Sequence, residues 1–190
     1  KVKKCKKKVK IAMIGKYVDL LDSYKSLNEA LYHAGVINNK IVDIVYLDSE
    51  KLTKRNIHQL KEMNGILVPG GFGDRGIEGK ILAAEYARVN NIPYFGICLG
   101  MQISVIEFAR NVMKLNKANS TEFDKDTKNP VVALVEEWRE DSGKRIFANM
   151  ENMGGTMRLG SQECILTKGS LAYKMYSKTS IKERHRHRYE

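Results

Sequence analysis

The sequence predicts an α/β protein built on an open, doubly wound, mostly parallel sheet. Two observations carry this. Short apolar runs alternate with segments of helical spacing, and the connectors between them are short, which implies parallel strands joined by right-handed crossovers. Three of the runs end in glycine-rich or polar segments, Gly15-Lys16-Tyr17, Pro69-Gly70-Gly71-Phe72-Gly73 and Gly96-Ile97-Cys98-Leu99-Gly100. In such sheets ligands sit at the carboxyl ends of the strands.

The elements follow in order. Residues 9–14 (Val-Lys-Ile-Ala-Met-Ile) form a short apolar strand that stops at Gly15. Residues 23–34 have helical spacing through Tyr24, Leu27 and Leu31, with Ser23 as the expected N-cap and Gly35 as the expected C′ residue. Residues 41–47 are β-branched and read as a second strand. Residues 53–63 fit a helix with Ile57, Leu60 and Met63 inward, and residues 65–68 fit a third strand ending at Pro69. A helix over 77–89, a strand over 92–97 and a helix over about 99–113 complete the regular part. Beyond residue 115 the pattern weakens. Residues 116–129 read as a loop, 131–135 as a strand, 154–160 as a turn-rich connection, 164–167 as a strand and 171–176 as a short helix. Arg184, Arg186 and Arg188 alternate with His185, His187 and Tyr189, as on the two faces of a basic edge strand.

Composition narrows the class. The 190 residues are 43% hydrophobic and 29% charged, an ordinary globular balance. No apolar run approaches the roughly 18–20 residues of a membrane span, and the basic start lacks the apolar stretch of a secretory signal. Three scattered cysteines, Cys5, Cys98 and Cys164, make neither a disulfide framework nor a zinc site, so no metal and a reduced, cytoplasmic setting are expected. The net charge of +11 suggests a polyanion partner at first sight. Seven lysines lie in the first ten residues, however, which leaves +4 over the other 180. Residues 1–8 therefore read as a solvated linker or extension and 9–190 as the folded domain, and neither nucleic acid nor a membrane is an expected partner.

The pentapeptide Gly96-Ile97-Cys98-Leu99-Gly100 has the form Gly-x-nucleophile-x-Gly where a strand meets a helix. Flanking glycines remove side chains that would collide in so tight a turn and leave the central side chain above the sheet. The helix N-terminus is expected to favour the Cys98 thiolate, and the Leu99 N–H can face a developing oxyanion. Pro69-Gly70-Gly71-Phe72-Gly73 can bring further bare N–H groups beside the thiol. Gly71-Phe72-Gly73-Asp74-Arg75-Gly76 matches G-x-G-x-x-G, but no acid ends the next strand, and no G-x-x-x-x-G-K-[ST] is present, so no nucleotide site is expected here.

At Val68-Pro-Gly-Gly-Phe-Gly73 followed by Gly96-Ile-Cys-Leu-Gly-Met-Gln102, the sequence resembles the class I (triad) glutamine amidotransferases. Residues 118–122, 154–160 and 183–190 narrow the likeness to the glutaminase domains of CTP synthases, from about Val9 to the last residue. The resemblance implies a flavodoxin-like sheet. It also implies that Cys98 attacks the side-chain amide of L-glutamine to give a glutamyl thioester and ammonia, with Gly71 and Leu99 as the oxyanion hole. Gly71, Phe72, Leu99, Gly100, Met101, Gln102, Glu122 and Arg188 would hold the substrate, Glu122 at its α-ammonium and Arg188 at its α-carboxylate. In such enzymes the ammonia passes to an amidoligase domain of the same polypeptide that uses ATP and Mg to aminate UTP to CTP, in a homo-oligomer, a tetramer. No cofactor is expected in this chain itself.

The family takes its base from a downstream His-Pro-Glu, and this sequence has no His-Pro. Cys-directed amide hydrolysis normally needs such an imidazole. His33 and His58 read as surface or structural, and the family places residues 183–190 at the substrate, so His185 and His187 are not expected to replace the base. The chain is expected to be a central piece of a longer polypeptide, truncated at its C-terminus and poorly active alone. Two other classes compete: another cysteine hydrolase of this architecture, such as a γ-glutamyl hydrolase, and a basic nucleic-acid-binding module.

Overall fold

A computed structural model describes residues 7–16, 21–135, 137–139, 145–147 and 158–190. The chain divides into two compact units, Lys1–Val132 and Ala133–Glu190.

The first unit holds a parallel four-stranded sheet in the order β2-β1-β3-β4, from β1 (Lys7–Gly15), β2 (Lys40–Asp48), β3 (Gly65–Val68) and β4 (Tyr94–Gly96). Alternation along β1 and β3 sends side chains to two cores. Ala12, Ile14, Ile66 and Val68 meet Ala83 and Ala87 of helix α2 (Ile77–Val89), with Leu60 between. Met13 and Leu67 meet Tyr24, Leu27 and Leu31 of the segment leading into helix α1 (Lys25–Ile37) and of α1 itself. Both faces of the sheet are therefore covered, which is what a doubly wound sheet requires. Helix α3 (Leu99–Asn111) is tied to α2 by Arg88, whose guanidinium grips the buried Glu107 carboxylate at 2.7 Å.

Several boundaries differ from expectation. Residues Leu21–Tyr24 form a short 3-10 turn, so Ser23 lies inside it and Tyr24 occupies the N-cap of α1. The helix runs through Gly35 to Ile37, and Asn39 takes the left-handed position (φ 54°) expected of a glycine. Gly35 is there for space: a Cβ would stand 2.9 Å from the Lys40 carbonyl. The helix expected over 53–63 contracts to a 3-10 segment, Ile57–Glu62, which still turns Leu60 inward. The strand expected over 92–97 pairs only at Tyr94–Gly96. Residues 116–129 are loop apart from β5 (Asn119–Ser120), which pairs with β6 (Pro130–Val132).

The second unit contains β7 (Glu137–Arg139) paired with β8 (Arg145–Phe147). It also holds β9 (Arg158–Ile165) and β10 (Ser180–His187) in an antiparallel pair, with helix α4 (Leu171–Tyr176) between them. The strand expected at 164–167 thus begins at Arg158. Gly160, expected in a turn, lies within it, and residues 154–157 fall outside the described residues. Alternation along β10 is as expected: Arg184 and Arg186 are exposed while His185 and His187 are half-buried.

Candidate active site

The site forms where β3 and β4 end. Ile97 N–H donates to the Val68 carbonyl at 3.0 Å, which carries the β4 chain alongside β3 up to the turn. Cys98 then adopts φ 53° and ψ −107°, a conformation few non-glycine residues accept. Its carbonyl already accepts the Met101 and Gln102 N–H groups at 3.0 and 3.2 Å, so α3 begins immediately behind it. The flanking glycines are sterically required. A Cβ on Gly96 would collide with the Gly100 backbone, and a Cβ on Gly100 with the Val68 carbonyl. This is the strained strand-to-helix elbow that presents a nucleophile.

The glycine-rich loop lies against it. The Cβ position of Gly70 is 3.5 Å from the Cys98 Cβ, and that of Gly71 is 3.6 Å from the Leu99 side chain. Lys16, at the end of β1, donates from Nζ to the Phe72 carbonyl at 2.6 Å and to the Gly73 carbonyl at 3.4 Å. Glu122 Oε1 accepts the Gly73 N–H at 2.8 Å. A cavity of about 490 Å³ beside this loop is lined by Gly15, Lys16, Tyr24, Gly70, Phe72 and Lys80, among others. Lys80 is only 2% exposed. Burial and then repulsion from Lys16 push its amine down to about 8.

The thiol itself corrects one expectation. Burial of the half-buried Cys98 pushes its pKa up, and the Glu122 carboxylate adds to this. The Leu99 N–H, bonded to the sulfur, works the other way and loses. Burial outweighs the Leu99 N–H, which favours the neutral thiol over the thiolate.

The remaining expected residues fall as follows. Leu99 and Gly100 are buried behind the elbow. Gln102 is 4% exposed on α3, whereas Met101 and Phe72 are 47% and 58% exposed. Glu122 stands within interaction range of Cys98 and on the glycine loop. Arg188 belongs to the second unit, one residue past β10, where its carbonyl accepts the Val135 N–H at 2.8 Å. It is half-buried, off the exposed face of Arg184 and Arg186, and its Nε is buried with no hydrogen-bond partner among the described residues. His33 and His58 are exposed. The first packs beside the Tyr32 ring and the second bonds the Arg55 carbonyl. Among the described residues no group of three His, Cys, Asp or Glu side chains is placed to hold a metal ion. Sequence reasoning missed Lys16 and Lys80. The one signal was Gly15-Lys16-Tyr17 at a strand end.

Residues 19–190 match the glutamine amidotransferase class-I family. The chain belongs to the class-I glutamine amidotransferases. Among solved structures, this amidotransferase is similar to the glutaminase domain of the Trypanosoma brucei CTP synthase with bound acivicin. The two are 42% identical with a TM-score of 0.81, over 96% of this chain and 67% of that one. The competing reading as a nucleic-acid-binding module loses its support, because the amidotransferase match spans nearly the whole folded chain.

Proposed function

We propose that this chain is the glutaminase domain of a CTP synthase and hydrolyses L-glutamine through a thioester on Cys98. The observation that carries the chemistry is the elbow: a thiol held at φ 53° beneath a glycine loop, with the Leu99 N–H at its sulfur. The likeness to the trypanosomal glutaminase domain supports the parent enzyme.

The Cys98 sulfur adds to the amide carbon of the glutamine side chain, and the carbonyl oxygen becomes an oxyanion facing the Gly71 and Leu99 N–H groups. Collapse of that intermediate releases ammonia, protonated as it leaves, and water then cleaves the thioester to glutamate. On the family resemblance, Glu122 is assigned the substrate α-ammonium and Arg188 the α-carboxylate. Phe72, Gly100, Met101 and Gln102 complete the glutamine contacts. The general base is assigned to the His-Pro-Glu of the parent polypeptide. The ammonia acceptor is the amidoligase domain that forms CTP from UTP. ATP and magnesium are assigned to that domain. A tetrameric parent and a cytoplasmic setting complete the proposal. Among the described residues no helix is long and apolar enough to cross a membrane.

Calorimetry on Cys98→Ala tests the substrate class. L-glutamine is expected to bind, and a γ-glutamyl peptide to bind at least about tenfold more weakly, since the amidotransferase reading places no leaving peptide in the site. The reverse order would favour a γ-glutamyl hydrolase.

A further inference from the structure

We propose that Lys16 is a positioning residue that fixes the orientation of the oxyanion loop. This rests on the glutaminase reading above and adds a residue to it. The Phe72 carbonyl and the Gly73 N–H belong to one peptide group and point in opposite directions from it. Lys16 Nζ holds the carbonyl end at 2.6 Å, and Glu122 Oε1 holds the N–H end at 2.8 Å. One peptide plane is thus gripped from both sides by groups of opposite charge.

The loop needs such a grip. Residues 70, 71 and 73 are all glycine, and Gly73 sits at φ 77°. Glycine has little preference between signs of φ, so the loop backbone does not hold its own peptide planes in place. The plane between residues 72 and 73 is two peptide groups along from the one that carries the Gly71 N–H. Anchoring it restricts the path of the loop from Gly70 to Gly73, and a loop released there is free to carry the Gly71 N–H away from the oxyanion position. Lys16 is suited to the task because it projects from the end of β1, an inner strand flanked by β2 and β3. A bond from an ammonium to a carbonyl is also stronger than one between neutral groups. Glu122 shares its carboxylate between the Gly73 N–H and the assigned substrate α-ammonium, which leaves Lys16 as the end of the grip that the substrate does not engage.

Two electrophiles separate this role from general disruption. A chloromethyl ketone analogue of glutamine reacts at its carbonyl. The Cys98 sulfur bonds to that carbon, the oxygen takes the charge, and chloride leaves as the sulfur migrates to the adjacent carbon and the carbonyl re-forms. Iodoacetamide alkylates the same sulfur by direct displacement of iodide and builds no oxyanion. In Lys16→Met the methylenes remain and the ammonium is gone. Its maximal rate with the ketone is expected to fall about tenfold or more, since loss of an oxyanion donor outright costs about 100–1,000-fold. The half-saturating ketone concentration and the iodoacetamide rate at Cys98 are expected to stay within about twofold. Lys16→Arg, which can still donate to the carbonyl, is expected to recover most of the ketone rate.

A parallel fall in both rates would overturn the proposal, because it would mean that Cys98 itself had moved. So would an unchanged ketone rate in Lys16→Met while wild-type Cys98 reacts, and in that case the glutaminase reading would stand. Failure of wild-type Cys98 to react with the ketone would remove the glutaminase reading and this inference together.

Discussion

The two units of the chain are held together in different ways. In the first, the inner strands β1 and β3 are packed on both faces, and Ala12, Met13, Ile14, Ile66, Leu67 and Val68 are nearly or wholly inaccessible. In the second, β9 and β10 alternate between half-buried and exposed positions, and Val135 is the one buried hydrophobic residue among those described. Polar contacts do more of the work there. Tyr176 donates to Glu183, Ser180 to Glu163, and Arg158 and His187 converge on Glu190. The difference explains where the chemistry can sit. An elbow at φ 53° and ψ −107° costs on the order of 1–3 kcal/mol, and it persists only where the surroundings leave no alternative. A tightly packed sheet meets that condition, and a half-exposed hairpin does not.

Glycine substitutions test this contrast most strongly. Gly100→Ala pushes a methyl into the Val68 backbone and is expected to cost more than about 3 kcal/mol in urea unfolding, or to prevent folding. Gly160 on β9 sits at φ 98° with open space around it, so Gly160→Ala carries only the backbone penalty, about 1–2 kcal/mol. Equal losses at the two sites would remove the distinction between the units.

Lys80 gives a smaller effect of opposite sign. Its folded amine is held at about 8, against an ordinary 10.5. Below pH 8 both folded and unfolded chains carry the proton, and the folded state bears the whole cost of the buried charge. Between about 8 and 10.5 only the unfolded chain holds it, so stability rises with pH across that window. Lys80→Met is therefore expected to stabilise the protein by about 1–3 kcal/mol below pH 8, with the advantage shrinking toward pH 10.5. Melting curves across that range check the sign, and a gain independent of pH would refute the charge argument.

The smallest expected effect lies in the second unit. Bonds from His187 and Arg158 hold the Glu190 carboxyl below its usual range despite the opposing pull of burial. The pair is partly exposed, so Glu190→Gln is expected to cost under about 1 kcal/mol near neutral pH. The difference from wild type should fade as pH drops through the depressed Glu190 value. A loss above 2 kcal/mol would mean that this unit depends on a buried charge after all.

The sequence made some of this legible and not the rest, for physical reasons. The inner strands β1 and β3 were readable because burial on both sides of a parallel sheet leaves continuous apolar runs, and β2, β4, α2 and α3 were readable from their apolar spacing although Ile41 and Phe95 remain exposed. The elbow was readable because Gly96 and Gly100 have a steric reason to flank Cys98. The helix expected over 53–63 shortened to a 3-10 segment, yet Leu60 is buried and Ile57 and Met63 pack against the same core, as the spacing predicts. Gly35 misled because close approach to β2, rather than a helix end, also demands a glycine. The burial that opposes the expected Cys98 thiolate is not visible in a sequence, whereas a helix end is. Lys16 escaped notice because its partners are backbone atoms of a loop 56 and 57 residues away.

The central claim is that Cys98, the residue at the elbow, is the nucleophile toward glutamine's amide carbon. Peptide mass mapping after limited treatment with the chloromethyl ketone analogue of glutamine tests it most directly. The label is expected on the Cys98 peptide, and excess L-glutamine is expected to slow its appearance. Labelling at Cys5 or Cys164 in preference to Cys98, or labelling of Cys98 that L-glutamine leaves unchanged, would contradict it.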